Sequence, residues 1–138
     1  MTLILEKKYS KWIYYVSFNL IIVSMIGFYN NYYLNTLSVF IVFLSSINYW
    51  RHPIKGFRRN IDIMTVGLSI TYNSFYVYDC IYGHYYISMI ILGIAIYIFS
   101  VLLYTKNYLI LSTLLHCKVH LLSNIANYLL FTNNICHN

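Results

Sequence analysis

Residues 86–104 read YISMIILGIAIYIFSVLLY, from Tyr86 to Tyr104, without one charged side chain. A helix needs about 20 apolar residues to cross about 30 Å of hydrocarbon, and this run comes close to that length. Four more stretches of the same kind follow from the chain: Trp12 to Tyr29, Tyr33 to Trp50, Ile61 to Tyr78 and Tyr108 to Phe131. The composition agrees, since 60% of the 138 residues are hydrophobic and 9% are charged, against about 25% charged in ordinary soluble domains. Alternation of the kind a transmembrane barrel requires is missing, and helices satisfy their own backbone groups in lipid. The sequence therefore predicts an all-α, polytopic transmembrane helix bundle with about five spans (12–29, 33–50, 61–78, 86–104, 108–131), with 1–138 as a single membrane domain.

Lys7, Lys8 and Lys11 precede the first span, as in a signal peptide, but the apolar run is too long and lacks a small-residue cleavage pattern. It is read as a retained helix. The connectors are too short to fold as a soluble catalytic domain, so any chemistry is expected among the helices.

The net charge of +6 is distributed by topology. Besides the three lysines before span 1, Arg51, Lys55, Arg58 and Arg59 lie between spans 2 and 3, and Lys106 lies between spans 4 and 5. With five spans all three regions share one side, and the positive-inside rule makes that side cytosolic. The expectation is an integral membrane protein with its N-terminus in the cytosol and its C-terminus outside or in a lumen. Contact with membrane lipids, including anionic headgroups, fits these cations. Nucleic-acid binding is not expected, because no basic tract accompanies a reading module. An oligomer or a membrane-protein partner is compatible with the sequence. The cysteines have no metal-ligand spacing; Cys80 and Cys136 fall on the outer side, where they can pair, and Cys117 falls inside span 5.

Span 5 contains LLHCKVHLLSNIAN, Leu114 to Asn127. At 100° per residue His116 and His120 share one face, with Ser112, Ser123, Asn124 and Asn127 within about a quarter turn of it. Lys118 points about 200° away, suited to snorkelling toward headgroups. Span 3 opens with Asp62 and continues along that side through Thr65, Ser69, Tyr72, Asn73 and Tyr76. Span 2 carries Ser38, Ser45, Ser46, Asn48 and Tyr49 before His52. Spans 2, 3 and 5 are expected to present polar stripes to each other, with spans 1 and 4 plainer.

Serine, threonine and asparagine join membrane helices through hydrogen bonds, which is the structural explanation of such stripes. Two histidines at i and i+4 can instead ligate one zinc, and His52 is the candidate for a third ligand, leaving a position for water. His116 lies roughly 12 Å along its helix from Tyr108, whereas His52 sits at a helix end, so that set requires span 5 to start late or span 2 to run through Arg51. Asp62 can cap span 3 or pair with Arg58 or Arg59.

The order of serine and histidine around the end of span 2, aspartate entering span 3 and H-x-x-x-H in the last span resembles the superfamily of membrane metal-dependent hydrolases that contains alkaline ceramidases and the progestin and adipoQ receptors. The motif positions are Ser45 or Ser46, His52, Asp62, His116 and His120. The resemblance implies that the three histidines hold zinc, that serine and aspartate support a metal-bound water, and that a lipid amide or ester is hydrolysed. The chain departs from that pattern in having five spans rather than the usual seven and in placing Asn48, not serine, four residues before His52. In a variant of the motif, Ser46, Tyr49, Arg59 and Asp62 matter and His52 does not. Two other classes stay open: haem held by His52 with His116, or by either with another helix, and a small structural or assembly protein whose stripes only pack helices.

Overall fold

The computed structural model describes residues 5–132, and these residues are helical almost throughout. Six helices form in chain order: α1 Lys7–Ser17, α2 Asn19–Tyr29, α3 Tyr33–Trp50, α4 Phe57–Val77, α5 Gly83–Thr105 and α6 Leu109–Thr132. The first two make one span, Lys7–Tyr29. They are separated at Phe18, whose N–H bonds the carbonyl of Tyr15 at 3.1 Å, a tightened turn within the span. Lys7–Tyr29, Gly83–Thr105 and Leu109–Thr132 are long and apolar enough to cross a membrane. Helices α3 and α4 pack in the same bundle and are polar on their facing sides, giving about five spans of roughly 27 to 36 Å.

Two asparagines terminate helices. Asn31 adopts φ 67° and Asn107 φ 63°, the left-handed conformation that asparagine tolerates better than other side chains. After α2 the Tyr32 N–H returns to the Gly27 carbonyl at 2.9 Å, and after α5 the Tyr108 N–H returns to the Leu103 carbonyl at 3.0 Å. Both are Schellman closures, which satisfy last-turn carbonyls and reverse the chain. The α3–α4 connector contains Pro53 and Gly56, the latter at φ 146°.

The bundle is ordered α4, α3, the first span, α6, α5, with α5 and α6 packed along their lengths and α4 meeting α5 only sparingly. Its outside is apolar: Met25, Leu34, Leu68, Ile91 and Ile110 are all exposed. Its inside mixes apolar residues with buried Ser, Thr and Asn, the distribution expected where lipid replaces water as the surrounding solvent. One apolar cluster gathers Leu20, Val39, Phe43, Val77, Tyr86, Leu130 and Phe131; a second, at the basic end, gathers Leu5, Ile13, Tyr49 and Trp50.

The first span is less plain than its sequence suggests. Ser10, Ser17 and Ser24 are buried at intervals of seven residues, with Ser17 and Ser24 donating to their own helix at 2.8 Å each. Small residues permit close helix approach in membranes. Gly27 continues that face, and a Cβ there would collide with Thr36 Oγ1 and with the Phe131 ring.

Candidate functional site

Helices α3 and α4 are joined by a polar seam. Near one end Asn35 Nδ2 donates to Asn73 Oδ1 at 2.8 Å, and Ser38 meets Ser69 at 3.1 Å. Near the basic end Ser45 meets Thr65 at 2.6 Å. Ser45 and Ser46 both donate to Asp62 Oδ1, at 3.0 and 2.7 Å. Each hydroxyl has one proton, so Thr65 donating to Ser45 leaves the Ser45 proton for Asp62. The expected contact between the stripes of spans 2 and 3 is thus a set of named hydrogen bonds, and Asp62 is held by serines of α3.

The histidines face a different wall. His116 and His120 lie one turn apart on α6 with ring centroids 5.4 Å apart. The Trp50 ring stands 4.9 Å from His116 and the Tyr97 ring 5.6 Å, both edge-on. Lys118 is exposed, directed away from this wall. Asn124 and Asn127, predicted on the same stripe, are buried. Asn127 donates to the Ser123 carbonyl at 2.9 Å, while both side-chain atoms of Asn124 and Oδ1 of Asn127 have no partner among the described residues.

These walls enclose one cavity of about 610 Å³, within the range of about 300–1,000 Å³ of small-molecule sites. Lys55, Arg59 and Thr105 line its basic end. Ser46, Tyr49, Asp62, Tyr97, His116 and His120 supply polar groups to its lining, and Leu20, Val42, Val66, Ile70, Met89 and Ile90 supply apolar wall. The cavity therefore brings together Ser46, Tyr49, Arg59, Asp62, His116 and His120; Ser45 stands behind Ser46 as a second donor to Asp62.

His52 does not join them. Helix α3 ends at Trp50, and His52 follows on the exposed turn before Pro53. Proline disfavours helix in the residue before it, so span 2 cannot carry His52 inward, and α6 starts at Leu109, not late enough to lift His116 to that level. Trp50 takes the place beside His116. Among the described residues no three His, Cys, Asp or Glu side chains gather closely enough to hold a metal ion. Of the expected zinc set, His116 and His120 stand together as a pair and His52 lies outside the cavity they line. The described residues thus do not gather the three-ligand site that the hydrolase resemblance implies.

Cys80, in the connector between α4 and α5, is disulfide-bonded, and Cys117 is a free thiol. Cys136 and His137 lie outside the described residues. Span 4 contributes more than its sequence announced: Gly93, Tyr97 and Ser100 of α5 line the cavity. Their spacing of three to four residues was the available signal, hidden because tyrosine and glycine are common in membrane helices for other reasons.

The fold and the cavity define a class, a small polytopic helical membrane protein with an amphipathic intramembrane chamber. Comparison with family models, with curated proteins and with solved structures gives no match.

Proposed function

We propose that this protein binds a lipid amphiphile inside the membrane. The observation that carries this reading is the mixed lining of the large cavity, in which Asp62, His116 and His120 share walls with apolar residues such as Ile70 and Ile90. Helices that only pack together exclude such a volume, because interiors fill to near-crystalline density. A chain lying against the apolar wall exchanges one apolar environment for another, while its polar end meets hydroxyl, imidazole and carboxyl groups fixed on α3, α4 and α6.

A second reading, hydrolysis of a lipid ester or amide, is supported by the histidine pair on the same cavity as Asp62 and Ser46. An unprotonated imidazole of His116 or His120 would take a proton from water as its oxygen bonds to the acyl carbon. The imidazolium would return that proton to the departing alcohol or amine as the acyl bond breaks. Hydroxyl donors such as Ser46 would stabilise the oxyanion. A structural role for the stripes is the competing outcome.

Mass spectrometry of the protein released intact from detergent, followed by lipid extraction, tests the first reading: a co-purifying single- or double-chain lipid in defined ratio is expected. Incubation with long-chain ester and amide substrates tests the second. Product formation that is lost in His116→Gln/His120→Gln, with the fold retained, supports it. Lipid-free protein whose double variant changes only its assembly would make the stripes packing elements.

A further inference from the structure

We infer that the amphiphile carries an anionic headgroup, a phosphate or carboxylate, held by Lys55 and Arg59 at the cavity's basic end, and that its chain passes from the bilayer between α4 and α5. This inference rests on the amphiphile-binding reading and names its ligand class.

Lys55 and Arg59 both line the cavity, and neither has an ion-pair partner among the described residues. Lys55 precedes the first turn of α4 and Arg59 lies within it, and that turn has no acidic residue and no side-chain cap. Free N–H groups and the helix dipole there add to the attraction for an anion. The lining contains one carboxyl group, Asp62, whose Oδ1 is already taken by two serine hydroxyls. Tyr49 lies within electrostatic reach of Arg59, Asp62, Tyr97 and Tyr104, so polar groups of α3, α4 and α5 stand near that cation.

The cations sit at the end of the bundle where the basic connectors lie, which is the depth of lipid headgroups. A phosphate held there needs no vertical displacement from its place in the leaflet; only its tail moves sideways. The route for the tail is the weakly packed side of the ring, where α4 and α5 meet sparingly. Ile63, Ile94 and Val101 line the cavity and yet are 48%, 46% and 41% exposed. They form an apolar rim shared by cavity and bilayer. Gly93 keeps the chamber behind the rim clear, since a Cβ there would have no neighbour within 4 Å. A neutral head would leave both cations without a counter-charge, and a free anion would leave the apolar wall unused.

The test uses the full chain in neutral detergent, examined by native mass spectrometry with hexadecyl phosphate, hexadecanol and inorganic phosphate. Hexadecyl phosphate is expected to bind about tenfold more tightly than hexadecanol, the effect of two partly exposed charge pairs. Lys55→Ala/Arg59→Ala should erase that preference, so that the two alkyl ligands bind equally. Gly93→Trp and, independently, Val66→Trp should remove both ligands by filling the chamber. Inorganic phosphate should neither bind detectably nor displace the alkyl phosphate. Equal binding of the two alkyl ligands by the parent protein, or a preference that survives the double alanine variant, overturns the anionic-head inference and leaves the cavity reading standing. Displacement by inorganic phosphate makes the site one for a free anion and overturns it as well. If the parent binds neither alkyl ligand, or if well-folded Gly93→Trp and Val66→Trp proteins bind both as the parent does, the amphiphile reading itself fails.

Discussion

Ser46 donates its hydroxyl to Asp62 Oδ1 at 2.7 Å, tying the last turns of α3 to the first turns of α4. Ser45 adds a second donor to the same oxygen at 3.0 Å. Removing a donor from a buried polar acceptor costs about 1–3 kcal/mol. Ser45→Ala/Ser46→Ala should therefore lower the thermal unfolding midpoint in detergent by several degrees, with Ser46→Ala alone intermediate. Asp62→Asn should lose less, because its amide oxygen still accepts both hydroxyls. Identical melting of the parent and the double alanine variant would remove this tie from the account of the fold.

Asn73 is the hub of the opposite end of the seam. It is fully buried and accepts from Asn35 at 2.8 Å, while its Nδ2 reaches Ser38 at 3.3 Å and Ser69 at 3.4 Å. Interhelical hydrogen bonds in membranes average about 0.6 kcal/mol each. Asn73→Leu is expected to destabilise by about 2 kcal/mol, and Asn35→Leu by about half that, read from equilibrium unfolding in mixed micelles. A larger loss for Asn35 than for Asn73 would contradict the hub assignment.

The glycines of α2 and α5 should respond oppositely to the same substitution. Gly27→Ala drives a methyl into Thr36 and Phe131, and overpacking of this kind costs about 1–3 kcal/mol. Gly93→Ala meets open space and gains helix propensity, so its melting temperature should equal or exceed that of the parent. Comparing the two alanine variants by thermal unfolding measures the close approach of α2 directly.

The placement of the cations predicts a membrane orientation that labelling can test. A cysteine placed at Lys55 or Lys106 in a Cys117→Ser background should react with an impermeant maleimide only after the cytosolic face is opened. A cysteine at Tyr82, in the connector that holds the disulfide-bonded Cys80, should react from outside intact cells. The reverse labelling pattern would invert the topology.

His52→Ala should leave both lipid binding and bound-metal content at the parent's values, since His52 lies on an exposed turn outside the cavity. His116→Trp, facing Trp50 and Tyr97 within the cavity, should lower lipid binding strongly. A fall in metal content on replacing His52, measured by elemental analysis of the purified protein, would restore the three-histidine set.

Much of this was legible before any coordinates. Apolar runs near membrane length determined the helices, because in lipid each backbone group must be satisfied within its own segment. The period of 3.6 put His116 beside His120 on one face, and the same arithmetic set Asp62 in line with Thr65, Ser69 and Asn73. The clustering of lysine and arginine in alternate connectors supplied an expected orientation, since the rule depends on residue identity and order alone.

What periodicity along one helix cannot specify is how far two helices stand apart or which residue at a helix end turns inward. Trp50, not His52, reaches His116 because the chain leaves helical geometry two residues before His52, ahead of Pro53. The serines of span 1 and Tyr97 of span 4 looked like background composition until the tertiary structure buried the serines and gave Tyr97 a cavity to line. The sequence by itself determined the helices and their polar faces, through hydrophobicity and period. Only the tertiary structure decided that α4 and α5 stand partly open around a chamber, because that opening depends on the summed packing of five spans rather than on the pattern of any one.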